Sequence, residues 1–240
     1  MQSVVLCAGS GIRLRPITDQ IPKCMVQVRG KPLLEHVLTN MVHAGIDEIF
    51  LVVGYKRQIV EDYFGTEFLG VPIKYFVQTE PLGTAHAVSL VHQYIKGKFM
   101  VANGDVIASK NDYRELSRTG KTEDFDAIVL SRKVQEPWRF GVLKVNHEKI
   151  VDIIEKPNPG KEPTKIINAG IYRFSQDFME AIMQTELSER GEYEIVDSIK
   201  IYIEKGKRVI YRMCNDTCID ISSSQDVNEA NEMQEKDFPQ

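Results

Sequence analysis

No apolar run in these 240 residues approaches the ~18 that a membrane-crossing helix requires. No block of consecutive lysines and arginines marks a nucleic-acid face either. Acids and bases are mixed to a formal net charge of −4, which speaks against a polyanion or a membrane surface as partner. Small anions could still meet a local cluster of positive groups. The opening MQSVVLCAGSG has no positive leader, and VVLCA is too short for a signal peptide, so the expected location is the cytoplasm. Cysteine is scarce. Cys214 and Cys218 form a C-x3-C pair with no second pair of ligands, which leaves zinc half its shell, and Cys7 and Cys24 stand apart. Reduced thiols are the expectation. Linkers, low-complexity tracts and repeats of 20–50 residues are also missing. With 42% apolar residues, the chain reads as one α/β domain over residues 1–240.

What is present alternates. Strand candidates at 3–8, 48–54, 72–78 and 99–103 are separated by stretches with helical spacing, such as Leu33, Leu34, Val37, Leu38, Met41 and Val42. Ala85, Val88, Leu90, Val91 and Ile95 show the same spacing. That alternation predicts parallel strands flanked by helices, and the continuous apolar run IFLVV suits a sheet buried on both faces. The second half differs. It predicts a strand at 126–134, an antiparallel ribbon turning near Asn146–Glu148, and a strand at 167–174. Helices at 176–184 and 194–205 follow, then a strand at 209–213 and a last helix from 224 to about 236 capped within Ser222–Ser224. The tail KDFPQ is expected to fray. The fold class is thus α/β and Rossmann-like, a mixed, mostly parallel sheet with a small antiparallel ribbon.

After the first strand comes C-A-G-S-G-I-R-L-R-P-I-T. Gly9 and Gly11 let the backbone approach a ligand and offer amide N–H groups to anionic oxygens. Arg13 and Arg15 add forked donors suited to phosphate. A dinucleotide fingerprint would need a third glycine where Leu14 stands, and a P-loop would need Gly-Lys-Ser/Thr. Alone, G-x-G fits a plain turn equally well. Beyond Arg13, however, come I-P-K-C-M, whose Lys23 is ten residues on, and then V-x-G-K-P-L-L-E. Residues 6–35 thereby resemble the opening signature of the sugar-1-phosphate nucleotidylyltransferases, L-A-x-G-x-G-T-R-L-x-P-L-T followed by P-K-x-M and G-K-P. Cys7, Ile12 and Cys24 depart from it, and Ile12 lacks a hydroxyl that could assist phosphate binding. The resemblance implies that Lys23 contacts the α-phosphate and Arg13 grips the triphosphate tail. It also implies a nucleotide site that includes Leu6, Ala8, Gly9, Ser10 and Gly11.

Three more sets of residues extend the resemblance. Q-T-E-P-L-G-T-A-H-A-V, residues 78–88, falls where a strand gives way to a helix. Gln78 has a donor and an acceptor, enough to read the imide edge of uracil or thymine. Gly83 would admit a base or ribose, and Thr84 would cap the following helix. Family members that use uridine or thymidine triphosphate carry similar residues, implying a pyrimidine site with Pro81 and Leu82. His86 receives no role. V-A-N-G-D-V, residues 101–106, resembles the family's L-x-G-D, which places Gly104 by the nucleotide and Asp105 on Mg2+. Asp220, within C-I-D-I-S-S-S-Q-D-V-N-E-A-N, is the implied second ligand. Mg2+ usually takes one or two carboxylates, with phosphate oxygens and water completing the shell. F-G-V, I-E-K-P and N-A-G-I-Y resemble the sugar-phosphate half, through Gly141, Glu155, Lys156, Asn168 and Gly170. An ion-paired Glu and Lys beside a proline turn is the plainer alternative for Glu155 and Lys156. Residues 191–199 are expected to be wall.

The resemblance therefore implies Mg2+-dependent transfer of a nucleoside monophosphate from UTP or dTTP to a sugar 1-phosphate, with glucose 1-phosphate preferred. No nucleic acid or membrane is involved, and a homo-oligomer is possible. It stops short of the C-terminal β-helix of some relatives, so their second activity is not expected. Two alternatives are compatible with the same residues. One is a cytidylyl- or guanylyltransferase on the same scaffold. The other is a non-catalytic nucleotide-sugar-binding regulatory subunit.

Overall fold

β1 (Gln2–Cys7) and β2 (Glu48–Val53) are almost wholly buried, because both of their faces are covered by helices. The computed structural model describes residues 1–118, 125–215, 218–235 and 238. β3 (Glu67–Phe68) and β4 (Val71–Val77) follow β2, and β5 (Phe99–Asn103) follows them. The second half supplies β6 (Ala127–Lys133), β7 (Gly141–Asn146), β8 (Lys149–Glu155), β9 (Ile166–Phe174) and β10 (Val209–Met213). All ten join one sheet in the order β7-β8-β10-β6-β9-β5-β1-β2-β4-β3. β5, β1, β2 and β4 run parallel. β9 is antiparallel to both β5 and β6, so it runs against two neighbours that share one direction. The β7–β8 ribbon extends this same sheet, and its turn is at His147, whose φ is 52°.

Helices bury apolar stripes on both faces. α1 (Leu33–His43) buries Leu33, Leu34, Val37, Leu38 and Met41, the i, i+3, i+4 set read from the sequence. α2 (Arg57–Phe64) and α4 (Lys110–Arg118) were not legible in the pattern. α4 buries chiefly Tyr113 and Leu116. α3 (Thr84–Ser89) is shorter than its spacing predicts, giving way to a 3-10 turn at His92–Tyr94. α5 (Phe178–Met183) and α6 (Ile195–Glu204) lie within the predicted spans. α7 (Ser224–Glu232) starts at Ser223, whose hydroxyl accepts from the Asp226 N–H in a reciprocal capping box. It ends at Met233, three residues before the predicted limit, and Lys236 lies outside the described residues. The expected fraying fails at Phe238. That ring is buried against His36, at 5.1 Å between centroids, and beneath the Arg29 guanidinium. The other four tail residues lie outside the described ones. No helix among the described residues is long and apolar enough to cross a membrane.

Candidate active site

The carboxyl ends of β1, β4 and β5 open onto one rim, and two cavities meet there. The Gly104 N–H donates to the Leu6 carbonyl at 2.9 Å, bringing the loop after β5 against the end of β1. The first cavity, about 340 Å³, is lined by Leu6, Ala8, Gly9 and Ser10 from the glycine turn, by Gln78, Pro81, Gly83 and Thr84, and by Gly104. The second, about 370 Å³, is lined by Arg13, Gly141, Glu155, Lys156, Asn168, Gly170 and Asp220. Lys23, Asp105, Asn103, Thr84 and Glu192 line both and form the shared wall.

Lys23 Nζ is ion-paired to the Asp105 carboxylate, with the two side chains 15% and 25% exposed. Asp220 reaches the same place through a short antiparallel pairing of Ile219–Asp220 with Val106–Ile107, in which Asp220 faces Val106. Burial and the neighbouring Asp105 charge push its carboxyl up to about 6, against the opposing pull of Lys23. Arg13 is exposed and lines the second cavity, while Lys23 lines both. Gly11 and Leu82 line neither cavity.

Both halves are tied by main-chain bonds. Tyr193 N–H donates to the Leu82 carbonyl and Ala85 N–H to the Tyr193 carbonyl, each at 2.8 Å. The Thr84 hydroxyl accepts from Ile195 N–H at 2.9 Å, so it does not cap α3 as the sequence suggested. Gly83 sits at φ 108°, and a Cβ there would lie 2.4 Å from the Tyr193 carbonyl oxygen. Gly83→Ala should therefore lower stability by roughly 2 kcal/mol, shifting the thermal midpoint down by about 5 °C. An unchanged midpoint would show that the clasp yields freely.

On the second cavity's floor, Gly170 at φ 77° lets the Asn103 amide approach; a Cβ would come 2.4 Å from its Nδ2. Asn168 Oδ1 accepts from the Gly170 N–H, and its Nδ2 donates to the Tyr172 hydroxyl. Burial, then the Glu194 charge, raises the Glu155 carboxyl, while Lys156 and Arg190 oppose that shift. Arg190 spans Glu155 at 3.4 Å and Glu194 at 3.1 Å. Arg139 and Arg190 line the second cavity without a signal in the sequence; Asn103, within V-A-N-G-D-V, lines both cavities, and Glu192 and Glu194 come from the stretch 191–199 expected as wall.

The nucleotidyl transferase family profile matches residues 2–237. A UTP–glucose-1-phosphate uridylyltransferase, AglF of Haloferax volcanii, is 35% identical over all of this chain and 99% of its own length. The chain belongs to the nucleotidyl transferase family. A bifunctional GlmU of Methanococcus vannielii is 40% identical over 86% of the chain, and the chain spans about half the length of the GlmU relatives it matches. A structure described as a glucose-1-phosphate thymidylyltransferase from Bacillus anthracis, with sucrose, superposes at a TM-score of 0.87, with 27% identity and coverage of 98% and 96%. A UDP-glucose pyrophosphorylase carrying UDP-glucose, 24% identical, shares the fold at a TM-score of 0.86 over 96% of each chain.

For a nucleotidyl transferase, the carboxylate pair is the feature to test against a divalent cation. Among the described residues no cluster of three metal-ligating side chains exists. Two hard oxygen donors, with one held at about 6 by its burial and its neighbour, nevertheless fit a cation that takes one or two carboxylates and completes its shell with phosphate and water. A cation between Asp105 and Asp220 would relieve that repulsion.

Proposed function

We propose that this nucleotidyl transferase moves a uridylyl or thymidylyl group from UTP or dTTP to a sugar 1-phosphate, glucose 1-phosphate being the preferred acceptor, and releases pyrophosphate. The observation that carries the reading is the shared wall, with Lys23 and Asp105 standing where two separate cavities meet. The relative AglF, matched end to end, supports a glucose 1-phosphate acceptor.

The base and ribose occupy the glycine-turn cavity and the sugar occupies the other, so that their phosphates meet at the wall. A sugar-phosphate oxygen attacks the α-phosphorus in line; that P–O bond forms as the bond to the β-phosphate oxygen breaks. The attacking monoester, with a second pKa near ~6, is already largely anionic, and no general base is needed. Lys23 supplies positive charge at the α-phosphate and Arg13 supplies it at the open side. The amides of the glycine turn add fixed donors. Asp105 and Asp220 would hold Mg2+, which when bound offsets phosphate charge and aligns the reactants. Glu155 accepts from sugar hydroxyls, and Arg190, which bridges it to Glu194, holds it in place.

The test is a matrix of UTP, dTTP, CTP, GTP and ATP against glucose, N-acetylglucosamine, galactose and mannose 1-phosphates, scored for pyrophosphate with and without Mg2+. Release with UTP or dTTP and glucose 1-phosphate, dependent on Mg2+, is the expected pattern. Turnover confined to CTP or GTP, or nucleotide-sugar binding without turnover, would overturn it. Glu155→Ala should raise KM for the sugar phosphate by ~10- to 100-fold, the range for losing a charge-assisted hydrogen bond, and leave KM for the triphosphate unchanged. Equal rises in both constants would remove Glu155 from the sugar side.

A further inference from the structure

The Gln78 side chain is buried at the end of β4, and its amide is doubly engaged before any nucleotide arrives. Its Nε2 donates to the Gly83 carbonyl at 3.0 Å and lies 2.9 Å from His86 Nδ1. A carbonyl oxygen can only accept, so the Gly83 contact fixes which end of the amide faces inward. An amide nitrogen can only donate, so the His86 contact requires Nδ1 to accept, leaving any ring proton on Nε2. Both Gln78 N–H groups are thereby consumed inside the protein. Oε1 has no hydrogen-bond partner among the described residues, and Gln78 lines the glycine-turn cavity. The cavity is offered a pure acceptor. His86 is held in turn by α3, with its ring beside Tyr193 at 6.4 Å between centroids.

We infer that His86 is a positioning residue for base selection: it ties down the second N–H of Gln78, so that the amide presents only its oxygen and selects a base with a ring N–H, the imide of uracil or thymine, over cytosine, whose N3 is a bare lone pair. This deepens the proposed function and rests on it. Without an acceptor at position 86, the amide's second donor is free to turn towards the cavity, where it can meet cytosine N3. Selectivity then falls although the phosphate chemistry at Lys23 is untouched. A primary amide carries both donor and acceptor capacity. Here the donor is already spent.

The experiment compares wild type with His86→Ala and His86→Asn, with UTP and CTP as donors and glucose 1-phosphate as acceptor. Dissociation constants of both triphosphates are measured alongside by calorimetry. Asn places Oδ1 where His places Nδ1 and so keeps the acceptor. His86→Ala should raise KM and the dissociation constant for UTP by ~10-fold, with kcat within ~2-fold of wild type, and should cut the UTP-over-CTP preference by at least ~10-fold. His86→Asn should restore the preference to within ~3-fold of wild type. In a Gln78→Leu background, His86→Ala should change nothing further, because its action runs through Gln78. Wild-type preference in folded His86→Ala, or an Asn variant no better than Ala, overturns the inference while leaving the proposed reaction standing. A wild-type enzyme that neither binds nor turns over UTP overturns both.

Discussion

Lys23→Ala lowers kcat by at least ~100-fold with UTP and glucose 1-phosphate, the scale for removing one preorganised stabiliser of developing charge. Lys23 is only 15% exposed and is paired with Asp105 on the wall both cavities share, so no solvent ion replaces it at fixed geometry. Its charge acts where two anionic phosphates are forced together, and that need is greatest at the transition state, so kcat falls more than KM rises. Lys23→Arg recovers a minor part at most, because a planar fork is a poor substitute for a compact ammonium at a single phosphate oxygen. Steady-state kinetics on the folded variants check this. A near-wild-type kcat in Lys23→Ala would remove the residue from the chemistry.

Asp105→Asn has an effect of similar size by a different route. It deletes half of the carboxylate pair and the ion-pair partner of Lys23. The expected loss in kcat is roughly 10²- to 10³-fold, together with a higher Mg2+ concentration for half-maximal rate. Asp220→Asn should do the same. Because the two carboxylates serve one cation, the double variant should be little worse than either single one. Losses that multiply in the double variant, or a Mg2+ dependence that neither change moves, would show that they do not share a ligand.

The parts of the site that could be read in the sequence are those carried by short contiguous runs. The glycine turn and Gly104–Asp105 sit at the ends of the buried strands β1 and β5, which the apolar runs place, and Pro22–Lys23 opens a 3-10 turn legible as the short motif I-P-K-C-M. The parallel half of the sheet and the β7–β8 turn were readable for the same reason. Arg13 was recognisable as a phosphate-type group, but which cavity it faces depends on the path of the turn. What stayed hidden depends on main-chain contacts between remote segments. The clasp of Leu82 and Ala85 on Tyr193 leaves no side-chain signature. Thr84 read as a helix cap because a hydroxyl before an apolar run suggests one, and its actual partner, Ile195 N–H, is more than a hundred residues away. α4 escaped because KNDYRELSR has too few apolar positions for a helical stripe. Phe238 looked like the middle of a frayed tail, and only the fold supplies the His36 and Arg29 surface it covers.

Catalysis depends on one arrangement: a nucleotide and a sugar phosphate held in separate cavities whose shared wall carries Lys23 and Asp105, with Asp220 beside it in the second cavity. A crystal structure grown with Mg2+ and the nucleotide-sugar product tests it directly. The account predicts the base beside Gln78, the sugar beside Glu155, the bridging phosphates against Lys23, and a cation about 2.1 Å from oxygens of Asp105 and Asp220. A product lying wholly in one cavity, or a cation bound away from those two carboxylates, would contradict it.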